Sequence, residues 1–278
     1  MNLHVIRIKF ICFLLLMAFN SQAASEVTIT EDGNYRYIKS NGIPDHATGK
    51  FPNSGNPNSI STQHHNFRVT LHPEKTGRAT PVQLSGVAIN GIPMDPGTAE
   101  FWNRDRSSGW NIQAFANGAN LGIDQNNAHV QPNGTYHYHA APTGLIKKTN
   151  STLVGWAADG FEIHYAGSKV KSSYQLKSGI RPSGPRGKYD GTYDQDWEYD
   201  AGSGTLDECN GGELNGQYVY FITDTYPFIQ RCVFGQADAS FQKRGPDPER
   251  EPGGYPDAGR DRPPPPDGHR RPPPPERR

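Results

Sequence analysis

The densest chemistry in the chain lies between Asp124 and His139, where His129, His137 and His139 stand among turn residues and tyrosines. Imidazole suits Zn and Cu. Three imidazoles on one ion leave a coordination position open, as a catalytic or exchangeable site requires and a closed structural site does not. The local sequence also says how the three meet. Gln131-Pro132-Asn133-Gly134-Thr135 has Pro where a type I turn fixes φ and Gly where the next residue needs a positive φ. This is the pattern of a three-residue hairpin loop with a Gly bulge. Pairing Gln131 with Thr135 puts His129 opposite His137 and Asn127 opposite His139. Residues i and i+2 of a strand share a face. The three histidines therefore converge on one face, with Cβ atoms ~5–7 Å apart, and Tyr136 and Tyr138 point to the other. A slip to a two-residue Asn-Gly loop would move His129 to the tyrosine face.

Other residues are candidates for completing such a site. His46 follows Asn41-Gly42-Ile43-Pro44-Asp45 in a loop, where functional residues concentrate. His64 and His65 are adjacent, so on a strand only one of them can face a site. His164, in Gly160-Phe161-Glu162-Ile163-His164-Tyr165, reads as packing or surface. Asp159 stands at a turn, either as a carboxylate orienting an imidazole or as an Asx turn. Asp190 to Glu213 holds eight carboxylates. Read as an EF-hand loop it has Tyr199 where Gly is needed and no flanking helices, so a solvated loop or a looser calcium site remains. No G-x-S-x-G, Walker A or H-E-x-x-H motif is present, which leaves serine-hydrolase, nucleotide and zincin readings without support.

The elements that must carry these residues are strands. Short alternating runs at 27–30, 35–38, 67–71, 82–89, 135–139, 160–165 and 218–223 are separated by Asn-Gly turns. No segment keeps a 3.6-residue apolar period for three turns; 99–103 or 113–119 is expected to form a short helix each at most. The prediction is an all-β domain over 24–245, mainly antiparallel and sandwich-like. Within it, Asn133-Gly134-Thr135-Tyr136-His137-Tyr138-His139 resembles Asn215-Gly216-Gln217-Tyr218-Val219-Tyr220-Phe221. The second copy has Val219 and Phe221 where the first has histidines, so it reads as structural.

The ends read differently. Residues 1–23 carry Arg7 and Lys9, then an apolar run from Phe10 to Phe19, then Ser21-Gln22-Ala23: a secretory signal with cleavage before Ala24, too short to span a bilayer. Residues 246–278 contain 12 prolines, with two four-proline runs, and 7 Arg beside 7 acidic residues. They read as a disordered, extended tail, either a spacer or an arm that docks on a cell-envelope partner. No other long hydrophobic segment exists, so no transmembrane segment is expected. The whole chain has 28 basic and 28 acidic residues. That balance argues against a nucleic-acid binder. The 29 aromatics exclude a fully disordered polymer. Cys209 and Cys232 remain after export. One disulfide is their simplest use in an oxidising compartment, and a catalytic thiol is the alternative.

The segment Pro132-Asn133-Gly134-Thr135-Tyr136-His137-Tyr138-His139 resembles the YHYH-domain family of exported proteins. Similar segments are Gly42-Ile43-Pro44-Asp45-His46, Ala157-Ala158-Asp159-Gly160-Phe161, Tyr189-Asp190-Gly191-Thr192, Leu206-Asp207-Glu208-Cys209-Asn210-Gly211, and Thr225-Tyr226-Pro227-Phe228 followed by Cys232. The likeness covers about 26–240, departs at His164, where the family tends to an aromatic, and leaves out the tail. The expectation is a secreted or periplasmic protein binding Cu or Zn through His129, His137 and His139, with His46 completing or Asp159 orienting the site. A metal-dependent hydrolase or copper redox enzyme is the second reading. The third is a carbohydrate or cell-wall binding module using Trp102, Trp110, Trp156 and Trp197 as stacking platforms.

Overall fold

The structure, a computed structural model, describes residues 23–243. The expected tail, and the expected signal segment apart from Ala23, lie outside the described residues. β1 (Val27–Asp32), β2 (Tyr35–Ser40) and β3 (His65–Thr70) form an antiparallel three-stranded sheet. β4 (Thr80–Pro81) pairs with β15 (Cys232–Val233), and β11 (Tyr174–Leu176) with β12 (Trp197–Tyr199). The main sheet takes β5 (Gly86–Ala88), β6 (Pro93–Met94), β7 (Ala128–Val130), β8 (Tyr136–Tyr138), β9 (Leu153–Ala157), β10 (Glu162–Tyr165), β13 (Gly211–Leu214) and β14 (Gln217–Ile222). Its order is β13-β14-β10-β9-β5-β6-β8-β7. Only the pairs β6 with β8 and β10 with β14 are parallel. The fold is mainly β with antiparallel sheets, as the alternating runs predict.

The main sheet is two copies of one unit. In each, a tight hairpin is followed by a long insertion and a second hairpin, whose last strand lies parallel to the end of the first. Gly86-Val87-Ala88-Ile89-Asn90-Gly91-Ile92-Pro93-Met94-Asp95 aligns with Gly155-Trp156-Ala157-Ala158-Asp159-Gly160-Phe161-Glu162-Ile163-His164. Their hydrogen bonds match: Ala88 N–H donates to Ile92 O (2.9 Å) and Ala157 N–H to Phe161 O (2.8 Å). Gly91 (φ 75°) and Gly160 (φ 94°) take the left-handed turn position that disfavours any side chain. The register is symmetric about the Val87–Trp156 pair: Gly86 faces Ala157 and Ala88 faces Gly155. Met94 faces Tyr138 in one half, and Ile163 faces Tyr220 in the other. The duplicated hairpin visible in the sequence is thus half of a larger repeat.

Alternation along these strands builds two layers. Ala88, Met94, Tyr136, Tyr138, Ile163 and Tyr220 belong to the large core on one face of the main sheet. On the other face, Val87 and Trp156 pack beneath Ile38, Phe67 and Val69 of the three-stranded sheet. That small sheet covers only the centre. At one end of the same face Val219 and Phe221 join Leu206 in an apolar cluster. At the other end stand the histidines.

Several expectations are revised. The run at 82–89 is strand only over Gly86–Ala88. Of the two short helices, one is a single 3-10 turn at Trp102–Arg104, and 113–119 holds only turns. The α-helix, α1 (Thr143–Thr149), lies elsewhere, short and buried through Leu145. Two carboxylates of the acidic stretch are paired with one buried cation of the chain. Arg181, 6 % exposed, donates Nε and Nη2 to the two oxygens of fully buried Asp196 (2.7 and 2.6 Å) and Nη2 to Asp190 (2.5 Å). The two cysteines form a disulfide. It joins the turn before β13 to β15, closing a 23-residue separation. Replacing both cysteines by serine is expected to lower the unfolding free energy by about 3 kcal/mol, read from denaturant melts. An unchanged midpoint would contradict it.

Candidate metal centre

The hairpin that carries the histidines has the register its turn predicts. Gly134 N–H donates to Gln131 O (2.8 Å), and Gln131 N–H to Thr135 O (2.9 Å), closing the loop Pro132-Asn133-Gly134. Gly134 has φ 85°, and a Cβ there would collide with Ser61. His129 is paired with His137, and His139 N–H donates to Asn127 O (2.8 Å).

The three rings meet with centroids 4.7, 4.8 and 4.7 Å apart. One ligand nitrogen from each lies within 4.8 Å of the others. His129 Nδ1 is 2.8 Å from Leu121 O, and His137 Nδ1 is 3.2 Å from Thr135 O. A carbonyl only accepts, so each Nδ1 carries the proton and each Nε2 presents its lone pair. His139 Nε2 is 3.1 Å from His129 Nε2. Two nitrogens bound at ~2.0–2.1 Å to one tetrahedral ion sit about 3.3 Å apart, so this pair is near ligand spacing. His139 Nδ1 is buried without a partner, so no hydrogen bond there fixes the ring. It is the ring that can turn as the set closes. Burial lowers the pKa of all three: His137 to about 4, His139 well below its ordinary value, His129 less far. At neutral pH the rings are uncharged, the form that binds metals.

The strand residues around the triad are polar too. Asp95 N–H donates to Tyr138 O (2.9 Å), which sets Asp95 beside β8, and alternation past Met94 in the tyrosine-face core turns its side chain to the histidine side. Its carboxylate is buried and accepts from Gly97 N–H (3.1 Å), Gln131 Nε2 (3.2 Å) and Lys243 Nζ (2.6 Å). Its charge opposes the depression of the His129 and His137 pKa values, whereas Lys243 adds to it at His137 and His139. Sequence reasoning missed Asp95, Gln131 and Lys243. The repeat could have found the first two, because the matching positions hold His164 and Leu214. The five positions Asp95, His129, Gln131, His137 and His139 correspond to His164, Gly212, Leu214, Val219 and Phe221. Where the first copy gathers Gln131, His137 and His139, the second packs Leu214, Val219 and Phe221.

The structure does not bring the other candidates to the triad. His46 lies on the tyrosine face, where its Nδ1 donates to Ala47 O (3.1 Å) and its Nε2 accepts from Tyr138 Oη (2.6 Å), which itself accepts from Asn90 Nδ2 (2.9 Å). His46 therefore supports the strand from behind. Asp159 accepts from Tyr220 Oη (2.7 Å) and Gly235 N–H (2.8 Å), and has no imidazole partner. It stands at the position that matches Asn90, but accepts from Tyr220 Oη where Asn90 donates to Tyr138 Oη. His64 is exposed, and His65 stacks on Phe67 at 5.5 Å. His164 is held by Glu162 (2.7 Å) and Thr152 (3.0 Å). Trp110 and Trp156 are buried, and the Trp197 ring lies flat on Tyr226 at 4.9 Å.

The family model described as YHYH protein matches residues 66–235. That span includes the triad, Asp95, the disulfide and every strand of the main sheet. No curated protein and no solved structure matches the chain. On the match to more than half its length, the chain belongs to the YHYH protein family.

Proposed function

We propose that this is an exported protein that binds one transition-metal ion, Cu or Zn, through His129, His137 and His139. The observation that carries this reading is the triad's geometry: three neutral imidazoles, two buried and His129 half-buried, with ligand nitrogens within 4.8 Å, on a hairpin whose twin uses the positions of His137 and His139 for packing. Soft thiolate donors are absent, since both cysteines that follow the signal segment are joined to each other, so the nitrogen set favours Zn or Cu. Export is supported by the signal-like residues 1–23 and by the disulfide, which persists in oxidising compartments. No helix among the described residues is long and apolar enough to cross a membrane.

An enzyme built on the same ion is the second reading. The triad gathers only three protein donors among the described residues, which leaves a coordination position for water or substrate. An ion there supplies Lewis-acid or redox chemistry. The chain's part is to hold the ring orientations through Leu121 and Thr135 and to keep the rings neutral. A wall-binding module has weaker support, because two of its four tryptophans are buried and a third is stacked on Tyr226.

The test is the metal content of the full-length exported protein, purified without chelator and read by mass spectrometry. One Cu or Zn per chain is expected. Protein that is empty, and that takes up neither ion at micromolar concentration, would overturn the reading.

A further inference from the structure

We propose that Asp95 is the counter-charge of the triad and that Lys243 is its exchangeable resident cation, displaced when a metal ion binds. This rests on the metal reading above. An ion on three neutral imidazoles brings uncompensated positive charge into a buried site, which is costly without a nearby anion. Asp95 is that anion. It faces the triad from the adjoining strand end, is 2 % exposed, and is tied to the hairpin through Gln131, two residues from His129 on the same face. Its carboxylate lies outside the ligand cluster, so it acts through space and by fixing Gln131.

The cation now on Asp95 is placed for exchange. The Lys243 side chain is 42 % exposed, and its Nζ sits 2.6 Å from Asp95 Oδ2. Its backbone is held by Gln83 Oε1 (2.6 Å), so the ammonium can swing away while the chain stays docked. The other cation near His139, Arg231, is less exposed and is committed to Asp194 (2.8 Å). Lys243 therefore repels an arriving ion while it stabilises the empty site. The repeat points the same way. In the copy that lacks the triad, the position of Asp95 holds His164, paired outward with exposed Glu162. The triad and its carboxylate occur together in one copy and are missing together from the other.

The test uses full-length protein stripped of metal and titrated with Zn(II) and with Cu(II). Asp95→Asn is expected to weaken binding by about 10- to 100-fold, the cost of losing an outer partner of a metal site. Lys243→Met is expected to tighten it by about 2- to 5-fold, the range of a part-exposed ion pair, and to have no effect when Asp95 is already Asn. A purely structural ion pair predicts weaker binding in both variants. Lys243 is half-exposed, so its variant still decides the matter if Asp95→Asn does not fold. Wild-type affinity in Asp95→Asn, or weaker binding in Lys243→Met, would overturn this inference and leave the triad standing. A wild type that takes up neither ion would overturn both.

Discussion

Protein carrying His137→Ala and His139→Ala together should retain no metal, with affinity for Zn(II) or Cu(II) falling at least about 100-fold, beyond what loss of an outer partner alone costs. The two rings come from β8 and the residue that follows it and supply two of the three nitrogens, so their removal leaves His129 with a single contact. Both are buried, at 2 % and 3 % exposure, and truncation opens a cavity that weakens the fold as well. The repeat supplies a variant that avoids this ambiguity. His137→Val with His139→Phe installs the residues found at the matching positions of β14, where they pack among neighbouring apolar side chains. Mass spectrometry and calorimetry on both variants should agree. Stoichiometric metal in the folded Val-Phe protein would show that the ion sits elsewhere.

The second large effect is a loss of stability in acid. Stripped of metal and held in chelator, the protein should lose several kcal/mol of unfolding free energy between pH 6.5 and 4. Burial lowers the pKa of His137 and His65 to about 4 and that of His139 well below its usual 6.5. In this window the unfolded chain takes up protons that the folded chain refuses. The stabilisation is full above pH 6.5 and falls as pH drops, the His137 and His65 contributions levelling off below about 4. His137 alone accounts for about 3 kcal/mol. Asp159 and Asp194 offset part of this, because burial raises their pKa and the folded state protonates them first. Denaturant melts at pH 7, 6, 5 and 4 follow the balance. A midpoint that stays constant from pH 7 to 5 would show that these rings do not resist protonation.

What could be read from the residues was local. The turn Gln131-Pro132-Asn133-Gly134-Thr135 specifies its own loop, so the pairing of His129 with His137 and the shared face of the triad follow from it. What could not be read was long-range. Asp95 reaches the triad only because β6 runs parallel to β8 across an insertion of some thirty residues, and Lys243 because the end of the domain returns to Gln83. His46 is brought close to the hairpin, but behind it, and strand alternation cannot say which face a distant loop will meet. The repeat was only half visible because the two insertions differ in length. The first hairpins are 69 positions apart in sequence and the turn-and-tyrosine segments 82, so no single period aligns both.

That repeat divides the molecule unevenly. The β13–β14 end is closed by Leu206, Val219 and Phe221 and is anchored next to the disulfide. The β7–β8 end fills the same volume with three imidazoles, a carboxylate and an amide, groups that contribute less when buried than hydrocarbon does. One backbone plan thus has a firm end and a soft end. Cooperative opening will start at the soft one, the end that must breathe for a ligand to come and go. An ion that bridges its strands would even out the two, making the occupied protein close to symmetric in rigidity where the empty one is not.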